Sequence, residues 1–323
     1  MNRNTRIYVA GHRGLAGSAI VRALTASGYS NLVSRTHGEL DLEDAAATRR
    51  FFESERPELV FLAAARVGGI AANNSYPADF ILSNLKIQTN VIESAHAFAV
   101  RRLIFLGSSC IYPRECPQPI REEYLLTGPL EPTNRPYALA KIAGIELCWS
   151  LNRQFGTRYL AAMPTNLYGQ GDNYDLRSSH VLPALMRKAH EAKISGARQI
   201  VIWGSGAPKR EFLHADDLGR AVVFLATLDD ERYESLTDSA VCPLINIGTG
   251  EDLTIRELAA TVAEVVGFQG DFVYDRSMPD GTPRKVMDVS RIKSLGWAPT
   301  IPIRDGIATA YQDFLRMPSC HAH

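Results

Sequence analysis

The apolar run Ile7-Tyr8-Val9-Ala10 passes directly into Gly11-His12-Arg13-Gly14-Leu15-Ala16-Gly17, and this junction restricts the fold more than any other part of the chain. Three glycines at three-residue spacing let a strand turn sharply into a helix, and the apolar periodicity from Ala16 to Leu24 supplies that helix. Backbone amides at such a helix start have no intrahelical partner and carry partial positive charge. They form a cradle for the pyrophosphate of a dinucleotide. A glycine-rich turn without a ligand reads the same in isolation, so the strand before it and the helix after it carry the inference.

Short apolar runs then alternate with helix-length segments. Leu59 to Ala64, Leu103 to Leu106, Tyr159 to Met163 and Leu244 to Ile247 read as buried strands, and Asn31 to Arg35 reads as the second strand. Helices are expected over Asp44 to Glu55, Asp79 to Val100, Tyr137 to Gln154 and His180 to Ser195, with Thr254 capping one through Val266. The alternation predicts an α/β chain, a Rossmann-type doubly wound parallel sheet with a smaller, discontinuous α/β substrate domain. Residues 1–177 with about 212–249 are assigned to the first domain, and 178–211 with 250–323 to the second. The tail Met317 to His323 is expected to fray.

Tyr137 and Lys141 lie four apart on an expected helix and project from one face. An ammonium beside a phenol favours phenolate, which suits proton transfer, although such pairs also occur on solvated helix faces. Arg35 ends the second strand where a cofactor with a free ribose usually meets an acid, and Arg13 lies within the glycine loop. Two guanidinium forks there would suit a 2′-phosphate, hence NADP(H), unless both are plain surface arginines.

With 46% apolar and 22% charged residues, the composition is that of an ordinary globular protein. The 35 basic and 35 acidic residues cancel, leaving no global field for nucleic acid or membrane partners. Five cysteines, at 110, 116, 148, 242 and 320, show neither metal-like nor disulfide-like spacing, so no metal is expected. With no apolar run of membrane-spanning or signal length, a cytoplasmic location is expected.

Together with the glycine loop, Tyr137 and Lys141, five strings carry a family resemblance: Gly11-His12-Arg13-Gly14, Leu106-Gly107-Ser108-Ser109-Cys110-Ile111-Tyr112-Pro113, Pro164-Thr165-Asn166-Leu167-Tyr168-Gly169, Arg210-Glu211-Phe212-Leu213-His214 and Pro279-Asp280-Gly281-Thr282-Pro283-Arg284-Lys285. In this order they resemble the extended short-chain dehydrogenase/reductases that modify nucleotide sugars, from about residue 5 to about residue 316. The resemblance implies a bifunctional enzyme that inverts C3 and C5 of GDP-4-keto-6-deoxy-D-mannose and reduces C4 with NADPH, giving GDP-L-fucose. Family members that dehydrate carry Asp-Glu where this chain has Ser109-Cys110, which argues against dehydration. Two other readings stay open: an epimerase that retains its dinucleotide, and a noncatalytic dinucleotide sensor.

On that resemblance Ser108 and Tyr137 hold the C4 oxygen, Lys141 supports Tyr137, and Cys110 and His180 serve as base and acid for inversion. Cys110 follows Ser108 by two residues, so on an extended strand end both side chains point one way. Inert packing for Cys110 and helix capping for His180 are the alternatives. The cofactor contacts implied are Gly11, His12, Arg13, Gly14, Leu15, Ala16, Gly17, Arg35, Leu106, Gly107, Ser108, Ser109, Lys141, Pro164, Thr165, Asn166, Leu167 and His180. Lys188, Trp203, Arg210 and Asp280 are implied for the substrate. Position 188 is Lys where the family has Arg, which makes its phosphate contact monodentate. Arg284 or Lys285 also suits phosphate, whereas His214, Asp216 and Asp217 read as a turn locking the two domains together. A homodimer through the two long helices is expected by family analogy.

Overall fold

The structure, a computed structural model, describes residues 2–238, 240–278 and 280–317. The expected frayed tail therefore lies, beyond Met317, outside the described residues. Six parallel strands form the central sheet, in the spatial order Leu244–Ile247, Tyr159–Pro164, Arg102–Leu106, Leu59–Leu62, Ile7–Ala10, Leu32–Val33. Five of the six are buried along their whole length, which is why they read as continuous apolar runs rather than alternating ones. Ile7–Ala10 has its second strand on one side and its third on the other. The winding reverses there and opens a crevice at the carboxyl ends of the strands, where ligands of such sheets bind.

Local chemistry sets the helix limits. Asp44 caps Ala45–Glu55 by accepting from the Ala47 amide at 2.9 Å. Pro77 occupies the first turn of Pro77–Ala97, and Gly156, left-handed at φ 67°, ends Arg135–Phe155. Thr254 and Glu257 form a reciprocal capping box on Ile255–Val266. Helix Ala215–Thr227 lies against the glycine-loop helix Leu15–Ala26 so closely that a Cβ at Gly219 would stand 2.4 Å from the Ala19 carbonyl oxygen. Arg22 fastens the same pair to Asp216 at 2.5 Å.

A second core gathers Tyr168, Leu185, Met186, Phe212, Leu258 and Phe314. Beside it Gln199–Trp203 pairs with Asp271–Asp275, and Lys209–Arg210 lies between Leu253–Thr254 and Arg284–Lys285. Met287, Val289, Ile292 and Trp297, within the stretch assigned to the smaller domain, pack in the first core instead. The cause is a backbone splice: Ile120 donates to the Val286 carbonyl and Asp288 donates to that of Ile120, both at 2.8 Å. Asp217, fully buried, accepts from the Thr300 and Ile301 amides at 3.0 Å each, so it joins helix Ala215–Thr227 to the approach of the last helix, Ile303–Leu315.

Candidate active site

The glycine loop lies at the switch point. Gly11, at φ 83°, presses against the third strand's exit, where a Cβ would meet the Ala64 nitrogen at 2.7 Å. At Gly17 a Cβ would stand 2.0 Å from the Gly11 carbonyl oxygen, whereas at Gly14 it would sit at an ordinary 3.5 Å. Protein packing therefore demands glycine at 11 and 17 but not at 14, the N-cap of Leu15–Ala26, whose first amides receive no side-chain cap. An open helix start of this kind is built for an anion. His12 nearby has a buried Nδ1 without a partner. Burial, with help from Arg13, holds its pKa below the usual histidine value.

Arg35 is engaged rather than free: it bonds Glu55 at 2.5 Å and lies 5.6 Å from the Phe51 ring centroid. Arg35 and Arg13 nonetheless both bear electrostatically on Glu39. Both draw down the carboxyl pKa of Glu39, after the larger effect of its hydrogen bonds from the Thr36 amide and hydroxyl at 2.7 and 2.8 Å.

At the fourth strand's exit the structure corrects the expected extended segment. Ser109–Ile111 is a 3-10 turn capped by Ser108, whose Oγ accepts from the Cys110 amide at 3.4 Å. Cap geometry, rather than strand alternation, brings Ser108 and Cys110 together. Gly107 stands just before them against the end of the Met163 side chain, whose Cε would have to move aside for a Cβ, 1.9 Å away. Cys110 is buried, and that burial pushes its thiol up; Lys285 is the strongest opposing influence, followed by Ser108 and Lys141.

Tyr137 and Lys141 sit one turn apart on Arg135–Phe155, with the Tyr137 ring edge-on to Phe80. Here too the expectation changes. Lys141 is 3% exposed, donates to the Leu106 carbonyl at 2.8 Å, and holds its Nζ 5.8 Å from the Tyr137 ring centroid. Desolvation lowers its pKa to about 8, and desolvation with the Cys110 charge raises that of Tyr137. Burial thus keeps the proton on the Tyr137 phenol.

His180 is the N-cap of Val181–Ser195, but its side chain makes no capping bond, which leaves the ring open to the cleft. Crowding by protein and then the charge of Lys285 lower its pKa. On the next wall, Lys188 donates to the Val201 carbonyl at 2.9 Å and lies 5.4 Å from the Trp203 ring centroid. Trp203 is 58% exposed, so one large aromatic surface remains available. Arg210 lies within reach of the Asp280 charge. Asp280 gives both carboxylate oxygens to Ser205, at 2.6 and 2.8 Å, so it acts here as a clamp on the turn after Trp203. Thr165 and Asn166 both bond the Glu211 carbonyl, at 3.2 and 2.7 Å, which fixes the wall beside Pro164 and Leu167.

A glycine loop at the switch point, with Ser108, Tyr137 and Lys141 converging across the crevice, is matched by the model of the NAD dependent epimerase/dehydratase family over residues 7–236. The chain belongs to this family. Among individual relatives of this epimerase/dehydratase, GDP-L-fucose synthase 1 of Arabidopsis thaliana is 56% identical over 98% of the chain and 94% of the relative. GDP-L-fucose synthase of Escherichia coli (strain K12) is 54% identical over 96% of each. The crystal structure of a GDP-L-fucose synthetase from Naegleria fowleri bound to NADP superposes with a TM-score of 0.85 at 28% identity, covering 98% of this chain and 95% of the other.

Two residues of this family member carry more of the site than sequence reasoning assigned them. Lys285, expected only as an alternative phosphate partner, bears on Cys110, His180 and Arg210 together. Glu211 is a buried hub that accepts from the Thr249, Gly250 and Met287 amides. The strands that place them, Lys209–Arg210 and Arg284–Lys285, are two residues long, too short for any periodicity to betray.

Proposed function

We propose that the protein is an NADPH-dependent 3,5-epimerase and 4-reductase that converts GDP-4-keto-6-deoxy-D-mannose to GDP-L-fucose. One observation carries the proposal: a thiol, Cys110, is capped into the same turn as Ser108 and coupled electrostatically to Tyr137 and Lys141. Simple ketone reduction has no use for a thiol there; epimerisation beside the ketone does. The names of the relatives at 54 and 56% identity support the same substrate.

The residues fit the cofactor. The uncapped helix start at Gly14 to Gly17 suits the pyrophosphate, Arg13 and Arg35 suit a 2′-phosphate, and Leu106 to Ser109, Lys141, Pro164 to Leu167 and His180 would hold the nicotinamide and its ribose. When bound, NADPH supplies the hydride for C4. The protein's own work begins at the C4 oxygen, where Ser108 and Tyr137 donate hydrogen bonds that strengthen as negative charge develops. The protons at C3 and C5 are acidified by that ketone. Cys110 as thiolate removes each from one face, and protonated His180 returns a proton to the other. The raised pKa of Tyr137 keeps its proton in place for donation to the C4 oxygen during reduction. Lys188, Trp203, Arg210 and Asp280 form the wall for the GDP portion, with Arg210 for phosphate and the Trp203 surface for packing.

The proposal extends to a cytoplasmic homodimer. Leu82 and Leu139, on the two long helices that pack side by side, are 55% and 39% exposed, a surface that a second copy would cover. No helix among the described residues is long and apolar enough to cross a membrane. Cys110, Cys116, Cys148 and Cys242 are all free thiols, as a reducing compartment permits.

The test is incubation with GDP-4-keto-6-deoxy-D-mannose and NADPH in heavy water. Deuterium at C3 and C5 with one NADPH oxidised per product is expected. Cofactor turnover without net oxidation would replace this reading with a retaining epimerase. In Cys110→Ser deuterium entry should fall at least tenfold, and unchanged entry would remove Cys110 from its role.

A further inference from the structure

Glu211 is a fully buried carboxylate that makes no ion pair among the described residues. Backbone amides hold it instead: Oε1 accepts from Thr249 at 2.7 Å and Gly250 at 2.8 Å, and Oε2 accepts from Met287 at 2.9 Å. The fit leaves no slack, since a Cβ at Gly248 would stand 2.1 Å from Oε1. The main chain of the same residue is equally committed. Its carbonyl takes the Thr165 and Asn166 side chains, and its amide donates to Lys285 at 3.3 Å. Arg210, its neighbour in sequence, is in register with Lys285 across the short parallel pair. One residue therefore ties the wall formed by Thr165 and Asn166 to the pair of short strands that presents Arg210 and Lys285, two cations suited to a diphosphate.

We propose that Glu211 is a positioning residue for the diphosphate end of the substrate, setting where Lys285 stands relative to Arg210 and to the wall formed by Thr165 and Asn166. This rests on the GDP-sugar reading above. The charge state explains why a carboxylate is needed. Three amide donors require acceptors at both oxygens, and a glutamine can offer only one. Its amide nitrogen would face a backbone N–H wherever it turned. The lower loss keeps the two donors of Thr249 and Gly250 and abandons Met287, so the strand bearing Lys285 is the part released.

The experiment measures Glu211→Gln and Gly248→Ala, which disturb the carboxylate from its two sides, with GDP as the probe for the diphosphate end and NADPH as the probe for the cofactor end. The expected result is GDP affinity weakened about ten- to a hundredfold, the scale of one unpaired buried donor. NADPH affinity should hold within about threefold, and the double variant should be no worse than the weaker single one. The pH profile of deuterium exchange should also move to higher pH as the Lys285 charge withdraws from Cys110 and His180, a change that general loosening of the fold would not produce. GDP binding at wild-type strength in both variants overturns the proposal. Equal loss of GDP and NADPH, or failure of both variants to fold, assigns Glu211 to the fold alone and overturns it as well. Wild-type protein that does not bind GDP overturns the functional reading itself, a failure recognisable before any variant is made.

Discussion

Glycines 14 and 17 differ in what alanine would meet, and that difference separates cofactor binding from folding. At Gly17 the added methyl stands 2.0 Å from the Gly11 oxygen and 2.6 Å from its carbonyl carbon, both backbone atoms, so the loop itself must move. Overpacking of this kind costs about 1–3 kcal/mol or more. At about 2–4 °C per kcal/mol for large domains, Gly17→Ala should lower Tm by roughly 2–12 °C. Gly14 has φ −77° and ψ 167°, open to any residue, and its methyl would reach only 3.5 Å from the same oxygen. Exchanging one N-cap glycine for alanine costs about 1 kcal/mol at most, a shift of a few degrees. The methyl instead enters the space before the first helical amides. Losing one charge-assisted hydrogen bond to phosphate there, about 1.5–3 kcal/mol, weakens NADPH binding about ten- to a hundredfold. Thermal unfolding followed by circular dichroism and titration by NADPH fluorescence read the two effects separately. Gly14→Ala protein that folds normally and binds NADPH within twofold of wild type would refute the cradle.

Three further perturbations address the remaining groups. Tyr137→Phe should slow NADPH oxidation by about 10²–10⁴, the usual worth of a positioned acid, while deuterium still enters from heavy water; mass spectrometry of the sugar checks the second half. Arg13→Ala and Arg35→Ala should each raise the KM for NADPH about tenfold and leave that for NADH unchanged if, as proposed, they hold the 2′-phosphate; steady-state kinetics with both cofactors checks it. In Lys285→Met the charge that lowers the pKa of both Cys110 and His180 is gone, so both rise and the pH window of exchange moves upward. An unmoved or downward-shifted profile would contradict that sign.

The sheet was legible because parallel strands buried on both faces leave unbroken apolar runs, and the caps were legible because Asp44 and Thr254 act on amides three residues away. Local rules failed at Ser109 to Ile111, where alternation suggested an extended chain and the Ser108 side chain instead capped a turn. They failed again at Asp280, whose partner Ser205 lies 75 residues away, and at Glu211, whose partners come from residues 165–166, 249–250 and 287. Contacts of that separation are set by how short strands meet, and two-residue strands carry no period.

The pair at 137 and 141 shows how a motif can be located correctly and its electrostatics misjudged. Helical spacing does place both groups on one face, but proximity favours phenolate only if the ammonium is charged and near the oxygen. Lys141 spends its ammonium on the Leu106 carbonyl, and burial brings its own pKa down to about 8. The same burial raises the cost of a phenolate at Tyr137, which Cys110 as thiolate would raise further. Burial therefore suits Tyr137 to donate a proton rather than accept one. It also opposes a thiolate at Cys110 and a phenolate at Tyr137 coexisting, so under the proposed reaction Tyr137 would stay a phenol while Cys110 served as base and would give up its proton only in the reduction of C4.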